Sequence, residues 1–193
     1  YTLPVLQALG RHAVPHLIQA LRDEHEWVRR AACSVLGEIG DPQAIPHLAQ
    51  ALKDEDRRVR RAACWVLGEI GDPQAIPHLA QALQDEDKEV RRAACRALIK
   101  IGDPQVIPHL ARALQDEDWE VRRAACEALG EIGDPIAIPH LVQALQDKHS
   151  DVRREACRAL GKLGDAQAIP HLVQALQDER SWVREAACWV LGA

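Results

Sequence analysis

Phenylalanine and methionine are both missing from the 193 residues, and tyrosine occurs once. Phenylalanine therefore cannot fill a core, which must draw chiefly on Leu, Ile, Val, Ala and Cys. An apolar content of 47% is enough for that. No apolar run approaches the roughly 20 residues of a membrane-spanning helix, and no signal-peptide pattern opens the chain. Long blocks of like charge are missing too. Lys and Arg number 24 against 29 Asp and Glu, a net charge of −5. A mildly acidic chain of mixed charge argues against an extended nucleic-acid surface.

Self-similarity is what the chain has in abundance. The cysteines Cys33, Cys64, Cys95, Cys126, Cys157 and Cys188 each follow the last by 31 residues. His16, His47, His78, His109, His140 and His171 keep the same step. A fixed period of this length marks a repeat architecture, in which each unit buries its apolar side against a neighbour. The unit is clearest from Asp41 to Gly71, DPQAIPHLAQALKDEDRRVRRAACWVLGEIG, and the next copy differs from it at seven of 31 positions. Residues 1–193 are expected to form one domain. Its divergent N-terminal part and first repeat occupy 1–40, and further repeats follow at 41–71, 72–102, 103–133, 134–164 and 165–193.

Each unit reads as two helices with no strand. Asp41 can cap the first, with Pro42 in the first turn and Pro46 opening the main segment. Ile45, Leu48 and Leu52 make its buried stripe. The acidic run Asp54–Asp56 turns the chain, and Asp56 can cap the second helix. There Val59, Ala63, Val66, Leu67 and Ile70 form the apolar face, and Gly71 closes it.

The pattern D-x-x-A-I-P-x-L-x-x-A-L-x-D-E-D-x-x-V-R-x-x-A-A-x-x-L-G-x-I-G resembles the short HEAT-like repeat of phycobilisome lyases. It is closer still to the artificial helical repeat proteins built from that consensus. The resemblance spans nearly the whole chain. It implies an all-α fold: an α-solenoid, coiled as a right-handed superhelix of about six two-helix repeats of 31 residues. It also implies that first helices lie on the convex side and second helices line the concave side. The Asp54 and Arg60 types recur in every copy, from Asp23/Arg29 to Asp178/Arg184, and would tie neighbouring repeats together. Near-identical copies arise by recent duplication or by consensus design. Ile99 for Gly, Glu155 for Ala and Ala166 for Pro are departures that look more like drift.

Six Cys and nine His invite a metal or redox reading. Repeat geometry opposes it. Zinc needs about four ligands roughly 2.0–2.3 Å from one ion, whereas equivalent residues on stacked helices sit about 8–10 Å apart. Within one copy the Cys and His lie 17 residues apart on different helices, and neither a CxxC nor an HxxxH cluster is expected. Disulfides fail on the same distances, since bridged Cα atoms must lie within about 7 Å. Free thiols suit a reducing, cytoplasmic setting. HEAT-repeat iron hydroxylases carry His-Glu pairs on their repeats, and this chain has one such pair, His25–Glu26, in a turn. Likeness to the lyases is to their scaffold, and no nucleophile–base constellation accompanies it. The expectation is a protein that is not an enzyme and holds no metal or cofactor.

Function is sought where the copies disagree. The position before each V-R reads Trp27, Arg58, Glu89, Glu120, Asp151 and Trp182; one residue earlier stand Glu26, Arg57, Lys88, Trp119, Ser150 and Ser181. Seven beyond the first set come Ser34, Trp65, Arg96, Glu127, Arg158 and Trp189. All five tryptophans fall in these columns, and Trp and Arg are the residues over-represented in binding hot spots. The expected protein-binding surface, concave by the resemblance, comprises Trp27, Arg58, Arg61, Trp65, Arg92, Arg96, Trp119, Glu120, Arg123, Glu127, Arg158, Trp182 and Trp189. An Arg column at Arg30, Arg61, Arg92, Arg123 and Arg154 raises the rival of nucleic-acid binding. Glu185 interrupts that column, and Glu69, Glu89, Glu120, Glu127 and Glu131 interleave it, so the field reads as mixed and a protein partner is favoured. Two readings stay in reserve: a nucleic-acid-binding repeat, and a bilin lyase-like subunit. Both ends of the sequence are apolar, from Leu3, Val5, Leu6 and Leu9 to Trp189, Val190 and Leu191. That pattern predicts end-to-end self-association or a covering segment.

Overall fold

A computed structural model describes residues 3–192, apart from the side chains of 3–9 and of residue 11. Among the described residues twelve α-helices run in chain order: α1 Leu3–Ala20, α2 Glu26–Ile39, α3 Ile45–Ala51, α4 Arg57–Ile70, α5 Ile76–Ala82, α6 Lys88–Ile101, α7 Ile107–Ala113, α8 Trp119–Ile132, α9 Ile138–Ala144, α10 Ser150–Leu163, α11 Ile169–Ala175 and α12 Ser181–Gly192. Among the described residues there is no strand. The fold is an α-solenoid of two-helix repeats, and its packing divides into two compact units, residues 1–101 and 102–193. Each holds three repeats.

Local chemistry explains each element. Asp41 accepts a hydrogen bond from the Gln43 amide at 2.9 Å and starts a 3-10 turn, Pro42–Ala44, before α3 begins. Asp56 caps α4 by accepting from the Arg58 amide at 2.7 Å. Gly71 ends that helix at φ 69°, a left-handed conformation that a Cβ would strain. Ala166 stands where other copies have Pro, and the 3-10 turn still forms because Asp165 accepts from the Gln167 amide at 2.8 Å. The aspartate, not the proline, is what the turn requires. The first repeat departs from this plan. Gly10, Arg11 and His12 replace Asp-Pro-Gln, so no carboxylate interrupts the backbone ladder, and α1 runs through 18 residues with Pro15 inside it.

Within the first unit α4 lies between α2 and α6, and within the second α10 lies between α8 and α12. Each first helix packs mainly on its own second helix. Small side chains permit the close approach of second helices: a Cβ on Gly68 would stand 2.7 Å from the Ala97 Cα. Leu48, Leu67, Leu79 and Leu98 are fully buried in the first unit, as are Leu110, Leu129, Leu141 and Leu160 in the second. Ile70 was expected among them but is only half-buried, because the helix ends beside it at Gly71.

Arginine clamps join successive repeats. Arg60 donates from Nε and an η-nitrogen to both oxygens of Asp85, at 2.8 and 3.0 Å. Its other η-nitrogen donates to the carbonyls of Asp54 and Glu55, at 2.8 and 3.1 Å. One planar guanidinium thus satisfies the acidic turn of its own repeat and grips the next. The fork recurs as Arg29–Asp54 in the first unit, and as Arg122–Asp147 and Arg153–Asp178 in the second. Hydrogen bonding to Arg153 holds the Asp178 carboxyl below its ordinary range, against the opposing effect of burial.

Candidate binding face

Two arginines follow each valine of the V-R-R motif, and the helix sends them to different places. The first is the buried clamp. The second, three residues after the variable position, points out from the second-helix layer. In the first unit this outer surface carries a groove of about 360 Å³ across α2, α4 and α6. It brings together the expected residues Arg58, Arg61, Trp65, Arg92 and Arg96, and adds Arg30, Ser34, Glu89 and Lys100. Ala62, Ala93 and Ala97 form an aliphatic floor. Trp65 is 47% exposed at its edge. Trp27, 59% exposed, does not line this groove; its ring lies 5.4 Å from that of His25.

Charge in the groove is predominantly basic, with Glu89 the one acid in its lining, and this corrects the reading from sequence order. Arg92 donates to Glu89 at 2.9 Å, and Lys100 pairs with Glu69. Among the described residues the guanidinium groups of Arg30, Arg58, Arg61 and Arg96 make no hydrogen bond or ion pair, and all four are exposed. Acidic residues that seemed to dilute the Arg column belong mostly to the other unit. There Glu120, Glu127, Asp151, Glu155 and Glu185 occupy corresponding positions. Residues 1–101 hold equal numbers of acidic and basic side chains, and the net −5 falls wholly on 102–193.

The second unit's expected residues are less free. Trp119 is half-buried and stacks on the His149 ring, with centroids 4.0 Å apart and planes 11° apart. Arg123 is half-buried, and its Nε has no partner. Arg158 lies 3.8 Å from Glu155, which is itself buried, and Glu127 is half-buried. Glu120 receives the Asp118 cap through its amide at 2.8 Å. Trp182 carries the Arg180 guanidinium 5.6 Å from its ring centroid, a cation–π contact. Trp189 is the most exposed tryptophan, at 74%.

Sequence reasoning missed one variable column. The capping position of the second helix is Asp56, Asp87 and Asp118 in three copies, but His25, His149 and Arg180 in the others. Those three substitutes are the residues that meet Trp27, Trp119 and Trp182. His149 also keeps the capping role, its Nδ1 accepting from the Asp151 amide at 3.3 Å.

The cysteines are arranged mostly as packing, whereas the repeat histidines are half-buried or exposed. Burial, helped by the charge of Asp54, pushes the Cys33 thiol up to about 12, and burial likewise lifts Cys157 to about 12. Five cysteines are buried, but Cys188 is exposed although it occupies the same repeat position. His12 and His16 correct the expectation that no HxxxH cluster occurs: they stand one turn apart on α1, a spacing that could begin a metal site. Among the described residues no third His, Cys, Asp or Glu joins such a group. No helix among them is long and apolar enough to cross a membrane.

A family model described as HEAT repeats matches residues 14–88, 76–155 and 138–193. No curated protein matches the chain. Among solved structures, the complex of CpcE and CpcF of phycocyanin lyase from Nostoc sp. PCC7120 is similar, at 28% identity. Its TM-score is 0.68, over 93% of this chain and 76% of that one. A designed armadillo repeat protein in complex with the peptide (KR)4 is 21% identical, with a TM-score of 0.62 over 93% of this chain and 98% of its own. An engineered protein is 24% identical, with a TM-score of 0.62 over 93% and 95%. The two artificial proteins share the fold.

Proposed function

The chain belongs to the HEAT-repeat family, and on that premise we propose that it is a non-catalytic scaffold that binds another protein through the outer surface of its second helices. One observation carries this reading. Core and clamp residues recur from copy to copy, while every tryptophan stands in a variable column of the second helices. Exposed Trp and Arg around an aliphatic floor have the composition of a binding hot spot. On the opposite side, clefts at His78, His140 and His171 are lined by the same recurring residue types, which gives a partner little to distinguish. The lyase structure is a complex of one chain, CpcE, with another, CpcF, so a similar fold does engage a second protein. A buried, raised thiol is a poor nucleophile, which favours binding over catalysis.

Partner capture from the source cells tests the face. Trp65→Ala and Trp119→Ala should each weaken capture, while Gln81→Ala and Gln143→Ala on first helices should not. Intact capture by both tryptophan variants would place the partner elsewhere. The Arg-lined groove gives the rival nucleic-acid reading its one specific support, and a steep loss of oligonucleotide affinity with salt would favour it. A second surface is open in the sixth repeat. Ile169 is 49% exposed where its counterpart Ile45 is 3% exposed, and Val173 is exposed on the same helix. An apolar patch of this kind suits contact with a second copy.

A further inference from the structure

The basic groove across α2, α4 and α6 has a charge, a length and a floor that together define a partner chemistry. We propose that it receives an extended acidic peptide segment with an apolar side chain near its middle, an inference that rests on the second-helix face being the binding surface.

Charge comes first. Arg30, Arg58, Arg61 and Arg96 converge on one groove with no acid paired to any of the four, although the fold gives every clamp arginine a carboxylate or carbonyl partner. The acids that do face the groove, Glu89 and the neighbouring Glu69, are held by Arg92 and Lys100. Four exposed cations of one sign raise the energy of the empty face, and carboxylates arriving together relieve it. Guanidinium forks match carboxylates two bonds at a time, which makes arginine the suitable residue here.

Length and floor separate a peptide from a nucleic acid. Three helices packed about 8–10 Å apart span roughly 20 Å, which about six extended residues cover at about 3.3 Å each. Single-stranded nucleic acid is held by a series of aromatic platforms under successive bases. This groove has one, Trp65, and the rest of its floor is Ala62, Ala93 and Ala97. Such a floor accepts an aliphatic side chain rather than a stack of bases. The net −5 on residues 102–193 adds a general repulsion that grows with the length of a polyanion. A short acidic peptide bears little of it.

The test uses the full chain and an eight-residue, dye-labelled peptide of Asp and Glu with one central Leu, followed by fluorescence anisotropy at low salt. Saturable binding is expected, with no binding of the Asn/Gln or Lys versions, and a several-fold loss when the Leu is changed to Ser. Arg61→Glu combined with Arg96→Glu should weaken the acidic peptide at least tenfold, while Arg112→Glu, the same change on α7, should not. Circular dichroism melts keep loss of binding distinct from loss of fold. The proposal is overturned by any of three results: no saturable binding, binding unaffected by the double reversal, or a single-stranded oligonucleotide of equal charge binding as tightly. Partner capture by the Trp65→Ala and Trp119→Ala variants reads the face independently. Should capture fall while the peptide fails to bind, the face stands and the acidic chemistry is wrong; should capture persist as well, both are wrong.

Discussion

Removing one carboxylate, Asp85, should damage the fold more than removing any exposed ion pair. Its side chain is 11% exposed and that of Arg60 is 8% exposed. Asp85→Ala deletes two guanidinium bonds at 2.8 and 3.0 Å and the 2.9 Å bond from the Asp87 amide. Arg60 is left charged and buried, with the two carbonyls of its own turn and the largely exposed Glu86 carboxylate, 3.2 Å away, to serve it. Breaking one partner of such a pair costs about 3–5 kcal/mol, most of it the burden of the uncompensated charge. At about 2–4 °C per kcal/mol for a chain of this size, the melting temperature should fall by roughly 6–20 °C. Arg57 offers the comparison, since it meets Asp87 at 2.8 Å with its side chain 64% exposed. Arg57→Ala should leave the transition nearly unmoved. Replacing both clamp residues, Arg60→Met with Asp85→Leu, should recover much of the loss, because no buried charge is then stranded. Thermal unfolding by circular dichroism decides it. If Asp85→Ala melts within error of Arg57→Ala, the clamp does not hold the repeats together.

Other outcomes follow from the same structure. A thiol reagent at neutral pH should modify Cys188 quickly and the five buried cysteines only after unfolding, so native protein that yields two or more fast thiols contradicts the packing. Because Arg153 lowers the folded-state value of Asp178, the stability it contributes is complete above the unfolded carboxylate value of about 3.9 and is lost as pH falls through the folded one. Asp178→Asn should therefore lower the melting temperature at pH 7 and flatten its fall toward pH 2; parallel profiles for variant and parent would refute this. Light scattering should show mass rising with concentration, and Ile169→Glu with Val173→Glu should abolish the rise. A parent chain that stays monomeric at every concentration would show that this patch does not mediate association.

The period, the capping aspartates and the closing glycines made the helical plan readable, because each acts within a few residues of itself. Asp56 and Gly71 occupy the cap and the left-handed end that their chemistry demands. The clamp between Arg60 and Asp85 links residues 25 apart, and only resemblance to a repeat family suggested a tie between neighbours. Other features depend on which repeats share a unit, and sequence order hides that. Glutamates 120, 127 and 185 seemed to neutralise the arginine column, yet they belong to the unit that does not carry the groove. Trp119 looked like a free hot spot, but its face is taken by His149, 30 residues on. Comparing the capping column across copies would have found His25, His149 and Arg180. Cys188 shows the converse: identity at a repeat position does not guarantee burial, which depends on what packs over it.

Site-specific photo-crosslinking locates the binding face on the protein itself. A photoreactive residue is placed at Arg58, Arg96 or Glu127 on the second-helix surface, or at Gln81 or Gln143 on first helices, and the protein is irradiated in extract of its source cells. A discrete crosslinked protein is expected from the second-helix positions and none from the first-helix pair. Crosslinks confined to Gln81 and Gln143 would contradict that expectation.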